Sequence, residues 1–366
     1  MASTKEERVS ALIPARNEAA SIAQCVRSVA AQPEVSEIIV VDDHSEDETP
    51  GILELLAGEI PRLRTLRVGS PPSGWTGKSH ALDIGAREAT GNWLLFTDAD
   101  TDHHPGSLGQ VLDRAREARA DMISLSPGQE LLTWWEKAVI PFAFVELARR
   151  FRFEDVNDPK SEAAAANGQY ILIRRAVYES AGGHEAVRGD MLEDVALAQR
   201  LKAAGRRILF LPGAEWVTTR MYRSFGAMWS GWRKNLYLLW GSSPLAVLAA
   251  FTRIWFLYVA PPLGCITGLA LGAALDRSDL AAIGLAFLAA FGIGRYFYGR
   301  ALRGIGFASE LANYAVAGSA LFGLLLIDSM VAHRWLGSVS WKGRAYSTNR
   351  PDSAAGPSLP DRDRRP

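Results

Sequence analysis

The feature that most constrains this chain is where its charges are missing. Of the 80 charged side chains in 366 residues, 61 lie in residues 1–235 and only 10 in the hundred residues 236–335. That second segment holds four charge-free runs, Leu236 to Thr252, Ile254 to Leu275, Leu280 to Gly294 and Leu311 to Ile327. A helix needs about 20 mainly apolar residues to cross a bilayer. The 22-residue run from Ile254 meets that length alone. The third run reaches it by taking in Arg295 and Tyr296 to Gly299, and the fourth by taking in Glu310 and Asp328, at ends where snorkelling makes charge tolerable. Many small Gly and Ala residues favour close helix packing in lipid. The expectation is a soluble domain over 1–235, a membrane domain over 236–335 with three spans, or four if Leu236 to Thr252 is a span or re-entrant hairpin, and a cytoplasmic, largely disordered tail over 336–366. Arginines in the 295–303 loop and in the tail from Arg334 to Arg350 both favour the cytoplasmic face, and these demands conflict if a single span separates them. Met1 to Ser10 is polar and has no secretory-signal pattern, so the first 235 residues are expected in the cytoplasm and the protein in the cell (inner or plasma) membrane.

Composition removes other classes. The 40 Lys and Arg balance 40 Asp and Glu, so no global positive field exists to hold a nucleic acid. Two distant cysteines, Cys25 and Cys265, read as packed thiols and exclude a small disulfide scaffold. Residue 352 onwards is rich in Pro, Asp, Arg and Ser, a composition that does not fold alone.

In the first part, short apolar runs at Val9–Ile13, Glu37–Val41, Leu63–Val68, Asn92–Phe96 and Asp121–Leu125 read as buried strands. Helical patterns at Ala20–Ala31, Thr49–Glu59, Ser79–Ala89 and Ser107–Arg119 alternate with them, which predicts an α/β domain on a parallel sheet. Ligands in such sheets sit beyond the carboxyl ends of the strands. There the sequence places Pro14-Ala15-Arg16-Asn17-Glu18, Asp42-Asp43-His44-Ser45 and Thr97-Asp98-Ala99-Asp100. Five carboxylates, Glu18, Asp42, Asp43, Asp98 and Asp100, would repel one another on one edge unless a cation is bound, and hard oxygen donors suit Mg²⁺ or Mn²⁺ bridging a diphosphate. The bland alternative is capping, with Asp43 and Ser45 serving the helix at Thr49. Gly77-Lys78-Ser79-His80 opens a helix, where free N–H groups and a lysine suit phosphate. It is no P-loop, because Pro72 stands where the first glycine is required.

Ile-Pro-Ala-Arg-Asn-Glu (13–18), Val-Val-Asp-Asp-His-Ser-Glu-Asp-Glu-Thr (40–49), Gly-Lys-Ser-His-Ala-Leu (77–82), Asp-Ala-Asp (98–100) and Glu-Asp (193–194) together resemble the family 2 glycosyltransferases, with their GT-A (Rossmann-like nucleotide-diphospho-sugar transferase) fold. The likeness spans about residues 8–240. Within that family it is most similar to membrane-attached enzymes of the hopene-associated and carotenoid type. The resemblance implies inverting transfer of a sugar from a nucleotide-sugar donor, usually UDP-linked. It also implies that Pro14 and Glu18 with Asp43, and Asp42 alongside, hold the nucleoside, that Lys78 approaches the diphosphate, and that Asp98 and Asp100 bind the metal. The metal would neutralise charge on the departing diphosphate. Inversion by direct displacement needs a base on the acceptor hydroxyl. Asp194 is the candidate, with Glu193 as its substitute or as an orienting group.

Weaker signals have bland readings beside them. Gly168 in Ala163–Tyr170 allows close approach of donor sugar to backbone. Gln129, Glu130 and Trp134-Trp135-Glu136 could contact acceptor, or cap and pack a helix. His184 could meet the donor, though a lone histidine is more often structural. Trp229, Trp232 and Tyr237 interleaved with Arg233 and Lys234 fit an interfacial helix at about 222–235, and Arg220, Arg223 or Arg233 could reach the diphosphate. The Gln-x-x-Arg-Trp pattern of processive synthases is replaced by Gly231-Trp232-Arg233-Lys234-Asn235, which favours single transfer to a lipid or isoprenoid-like acceptor. A processive polysaccharide synthase, and a transporter or scaffold that merely binds nucleotide, are the competing classes.

Overall fold

The computed structural model describes residues 7–347; the acidic and basic stretch from Asp352 lies outside them. Two compact units are present, one made of residues 1–130 and 151–221 and the other of 131–150 and 222–366. The units therefore do not follow the 1–235 boundary, because the helix Trp134–Arg150 and the segment from Tyr222 pack with the apolar helices.

The first unit is built on β1 (Val9–Ala15), β2 (Val35–Asp42), β3 (Leu63–Arg67), β4 (Trp93–Thr97), β5 (Thr101–His103), β6 (Met122–Ser126), β7 (Gly128–Gln129), β8 (Tyr170–Arg174), β9 (Ile208–Pro212) and β10 (Val217–Thr219). Seven strands form the main sheet in the order β3-β2-β1-β4-β8-β6-β9, and β5-β10-β7 form a small second one. Side chains alternate across the strands. Val9, Ala11 and Ile13 of β1 face one core with Ile22, Val26, Leu53, Leu108 and Val111 of the helices Ile22–Ala30, Thr49–Glu59 and Ser107–Glu117. Leu12 faces the other, with Ala81, Leu82, Leu197 and Leu201 of Gly77–Glu88 and Glu193–Ala203. Helices thus cover both faces.

The sheet is mixed, where alternation predicted a parallel one. β8 runs antiparallel to both β4 and β6. The chain leaves the sheet after Ser126 and returns at the edge it left, since Asn167 N–H donates to Ser124 Oγ at 2.8 Å just before β8 starts. This reversal brings the approach to β8 to the carboxyl edge of β1, β2 and β4.

Among the described residues of the second unit, three helices are long and apolar enough to cross a membrane, Pro244–Ala274, Ser278–Gly304 and Ser309–Leu336. The first two charge-free runs do not make separate spans. Residues 236–239 finish the helix Phe225–Leu239, and Pro244–Ile254 continues through a widened turn at Trp255–Val259 into Ala260–Ala274. Pro261 and Pro262 follow that turn, which absorbs the missing N–H donors. A helix is present where an interfacial one is expected near 222–235: it runs over Phe225–Leu239 and is capped by Ser224, whose Oγ accepts from Ala227 N–H at 3.1 Å. The start of the expected tail is ordered as a hairpin, β11 (Ser338–Trp341) with β12 (Arg344–Ser347). Cys25 is buried and Cys265 partly so, and both are free thiols.

Candidate active site

The loops after β1 and β2 hold each other. Asn17 has φ 53° and His44 φ 58°, a left-handed conformation that Asn and His adopt more readily than most residues. Asn17 N–H donates to Ser45 Oγ at 2.9 Å, and Glu46 N–H donates back to Asn17 Oδ1 at 2.9 Å. Glu18 N–H donates to Thr49 Oγ1 at 2.8 Å, and Arg16 Nη1 to the Asp43 carbonyl at 2.7 Å. Of the two capping candidates, Ser45 serves the other loop, and it is Asp47 Oδ1 that accepts from Thr49 N–H at 3.0 Å.

The carboxylates on this edge differ in aim. Asp42 points inward: it is 1% exposed, accepts from Ser45 N–H at 3.0 Å, and lies 3.5 Å from Arg67 Nε. Glu18 Oε2 accepts from Ser21 Oγ at 3.2 Å. Asp43 is buried at the end of β2 and Pro14 is half-buried near the end of β1. Asp98 and Asp100 follow β4. Thr97 Oγ1 donates to the Gln169 carbonyl at 2.9 Å, so the turn carrying both aspartates is tied to the approach to β8. Two hard carboxylates from one turn suit a divalent ion that takes its other ligands from phosphate and water. Among the described residues no group of three or more His, Cys, Asp or Glu could hold an ion alone.

Lys78 joins the two sides of the site. It lies in the first turn of Gly77–Glu88, whose Thr76 Oγ1 accepts from Ser79 N–H at 3.1 Å. Its Nζ is 2.7 Å from Asp98 Oδ1 and 3.2 Å from Glu193 Oε1. Burial works against the ammonium, but the charges of Asp98, Glu193 and Asp194 outweigh it and hold its pKa above the ordinary lysine value. Asp194 Oδ2 accepts from Gly168 N–H at 2.8 Å, and its Oδ1 from Val195 N–H at 2.8 Å. Burial, with the neighbouring Glu193 charge, pushes the Asp194 carboxyl up to about 6. A Cβ at residue 168 would stand 2.9 Å from Lys78 Nζ and 3.3 Å from Asp194 Oδ2. The close approach at Gly168 is therefore to these two side chains.

The structure thus gathers Lys78, Asp98, Glu193 and Asp194. Three of the weaker signals have partners within the fold. His184 is buried, its Nδ1 is 2.9 Å from Tyr178 Oη, and burial pushes its pKa down to about 4. Glu136 Oε2 accepts from Leu132 N–H at 2.9 Å, Thr133 N–H at 2.6 Å and Thr133 Oγ1 at 2.8 Å, a capping box. Arg233 sits in the second unit with Nε 3.2 Å from Asp328 Oδ2. Sequence reasoning missed Asn17 as a turn former and the Asp47–Thr49 clamp, although Asn before a polar loop and Asp-x-Thr at a helix start are both readable signals.

Residues 10–182 match the family model for glycosyl transferase family 2. The chain is similar to a 4,4'-diaponeurosporenoate glycosyltransferase of Staphylococcus haemolyticus, 27% identical over 273 residues that cover 72% of this chain and 69% of that one. It is also similar to the protein of that name in Staphylococcus aureus, 23% identical with 93% and 88% covered. Among solved structures, a mannosyltransferase of Pyrobaculum calidifontis, in complex with GDP-mannose and Mn²⁺, superposes with a TM-score of 0.51 at 19% identity, covering 91% of this chain and 88% of that one. That likeness is one of fold.

Proposed function

We propose, from the premise that this chain belongs to glycosyl transferase family 2 and is a glycosyltransferase, that it moves one sugar, with inversion, from a nucleotide-sugar donor to a membrane-resident carotenoid-type acceptor. The observation that carries this reading is the constellation around Lys78. It links Asp98, on the donor side of the sheet edge, to Glu193 and Asp194 at the start of the next helix. Asp194 is the base: two backbone N–H groups orient its carboxylate, and a raised pKa makes it a better proton acceptor than a solvated aspartate. Lys78 supplies positive charge to the diphosphate, and Pro14, Glu18 and Asp43 border the nucleoside. Asp42 acts behind them by closing the loop on Ser45. Asp98 and Asp100 would hold a divalent Mg²⁺ or Mn²⁺ ion, whose chemistry is to neutralise the charge of the leaving diphosphate.

The acceptor class follows from the names of the relatives and from the apolar helices of the second unit. Those helices associate the protein with the cell membrane, with the first unit on the cytoplasmic face. The test is incubation of the detergent-solubilised protein with UDP- and GDP-sugars, Mn²⁺ and carotenoid alcohols and acids, followed by mass spectrometry. One sugar mass added to one acceptor is expected. Metal-dependent donor binding with no product from any acceptor would count against transfer to carotenoids. The compound in the relatives' names, diaponeurosporenoate, is a carboxylate, and a carboxylate nucleophile is already ionised at neutral pH. A product that is a sugar ester, formed as well by Asp194→Asn, would remove the base role from Asp194 and keep the rest.

A further inference from the structure

We infer that only two of the three apolar helices cross the bilayer, as a hairpin of Pro244–Ala274 and Ser278–Gly304, and that Ser309–Leu336 stays on the same face as the chain before Pro244. The inference rests on membrane association of the second unit and not on the sugar or acceptor. All the contacts that carry it lie within that unit.

Protein covers the three helices unequally. In the most apolar stretch of Ser278–Gly304 only 6% of residues are buried, and in Pro244–Ala274 33%, against 56% in Ser309–Leu336. Ile266, Leu271, Leu275, Ile283, Leu285 and Ile293 of the hairpin are each at least half exposed, whereas Leu324 is the only large apolar side chain so exposed in the third helix before Trp335 and Leu336. An exposed apolar surface of that extent needs a nonaqueous neighbour, and acyl chains fit two helices that present it all around. The hairpin also has the necessary internal packing. Gly268 meets Gly284, Gly272 meets Ala281 and Gly264 meets the Phe287 ring, each so closely that a Cβ would come within 3 Å. The 22 charge-free residues from Ile254 to Leu275 extend about 33 Å as a helix, enough for a hydrocarbon core of about 30 Å.

The third helix is instead packed against two charge-bearing helices, Trp134–Arg150 and Phe225–Leu239, as well as against the first turns of Pro244–Ala274, where Phe251 meets Gly323. Phe322 packs against Phe142 of Trp134–Arg150 at 5.6 Å, a helix carrying Glu136, Lys137, Glu146, Arg149 and Arg150. Further along, Asp328 Oδ2 accepts from Trp229 Nε1 at 2.8 Å, Ser329 Oγ donates to the Arg233 carbonyl at 2.7 Å, and His333 Nε2 lies 2.9 Å from the Lys234 carbonyl. Beyond it, Trp341 of the terminal hairpin lies 6.3 Å from the Tyr222 ring, and Lys234 Nζ lies 5.6 Å from the Trp341 ring. Tyr222 and Lys234 precede the first apolar helix, and Trp341 follows the third. Elements in contact share one side of a membrane, so the number of crossings between them is even. Three crossings would separate them. Two also remove the conflict over charge: Arg295, Arg300 and Arg303 toward the end of the second helix, Arg334 at the end of the third, and Lys342 and Arg344 after it, then share the cytoplasmic face.

The test uses the full chain with Cys25 and Cys265 replaced by alanine, and single cysteines at Ala227, Arg277 and Ala345, all exposed positions. A membrane-impermeant maleimide is applied to intact cells and to inverted vesicles. Ala227→Cys and Ala345→Cys should react only in inverted vesicles, and Arg277→Cys only in intact cells, with at least a tenfold bias each. Ala345→Cys reacting with Arg277→Cys would overturn the inference in favour of three crossings. All three reacting from one side would overturn it in favour of a hairpin that does not cross. A chain recovered wholly in the soluble fraction would overturn it together with the membrane reading it rests on.

Discussion

At the scale of single residues the site turns on how Asp194 is held. Replacing it with Asn keeps the shape but removes the proposed base. Transfer to a hydroxyl acceptor should fall by about 10²–10⁴-fold with nucleoside diphosphate binding retained, as read by steady-state kinetics beside calorimetry. The pH dependence has a definite sign. The carboxyl sits at about 6 in the folded chain against 3.8 for an ordinary aspartate, and the base must be ionised. The rate should therefore fall toward tenfold per pH unit below about 6. The same shift means that ionised Asp194 opposes folding above that pH and that the penalty fades as pH falls. Asp194→Asn should thus raise the thermal midpoint modestly at pH 8 and lose that gain in acid. Gly183 carries a purely structural demand. It has φ +54°, and a Cβ there would fall 2.7 Å from the Tyr178 ring. Gly183→Ala should cost roughly 1–3 kcal/mol in a denaturant titration, through the Tyr178–His184 contact. A lone His184 next to two glycines invited a ligand reading, and only its burial shows why the glycines are there.

At the scale of elements, most helix and strand positions were legible because each carries its own period and end signals. Thr49–Glu59 and the start of Ser107–Glu117 stand where the pattern puts them. The helix Trp134–Arg150 begins at a capping box. Glu136→Ala removes three accepted hydrogen bonds and should destabilise the protein by about 1–2 kcal/mol, measurable by thermal unfolding in neutral detergent. The apolar hairpin depends on absent side chains. Gly268→Leu would force Pro244–Ala274 away from Gly284, and an overpacking cost of about 1–3 kcal/mol is expected. The measurement is the same thermal unfolding, with Gly292→Leu as the control, since nothing stands within 4 Å of a Cβ there. What the sequence hid at this scale was the join of Pro244 to Thr252 with Ile254 to Leu275. Arg253 interrupts the run in composition but not in the helix, where Glu146 pairs with it.

At the scale of the whole molecule, local pattern stops being informative where distant segments meet. The alternation of apolar runs and helical periods, the polar residues just after each strand, and the loss of charge after residue 235 are properties of neighbours in the chain. They determined the α/β class, the edge that carries Asp98 and Asp100, and the presence of an apolar second part. The antiparallel entry of β8 comes from a return over forty residues later to the edge the chain had left, which no local period encodes. That return sets Gly168 beside Asp194 and Lys78, a contact between residues 26 and 90 positions apart. The fate of the third apolar helix is of the same kind. Its composition permits a span, and it is the groups packed along it, from the Phe142 ring to the Lys234 carbonyl, that argue against one. Hydrophobicity states that a surface must leave water; which neighbour covers it, lipid or protein, is decided by tertiary contact.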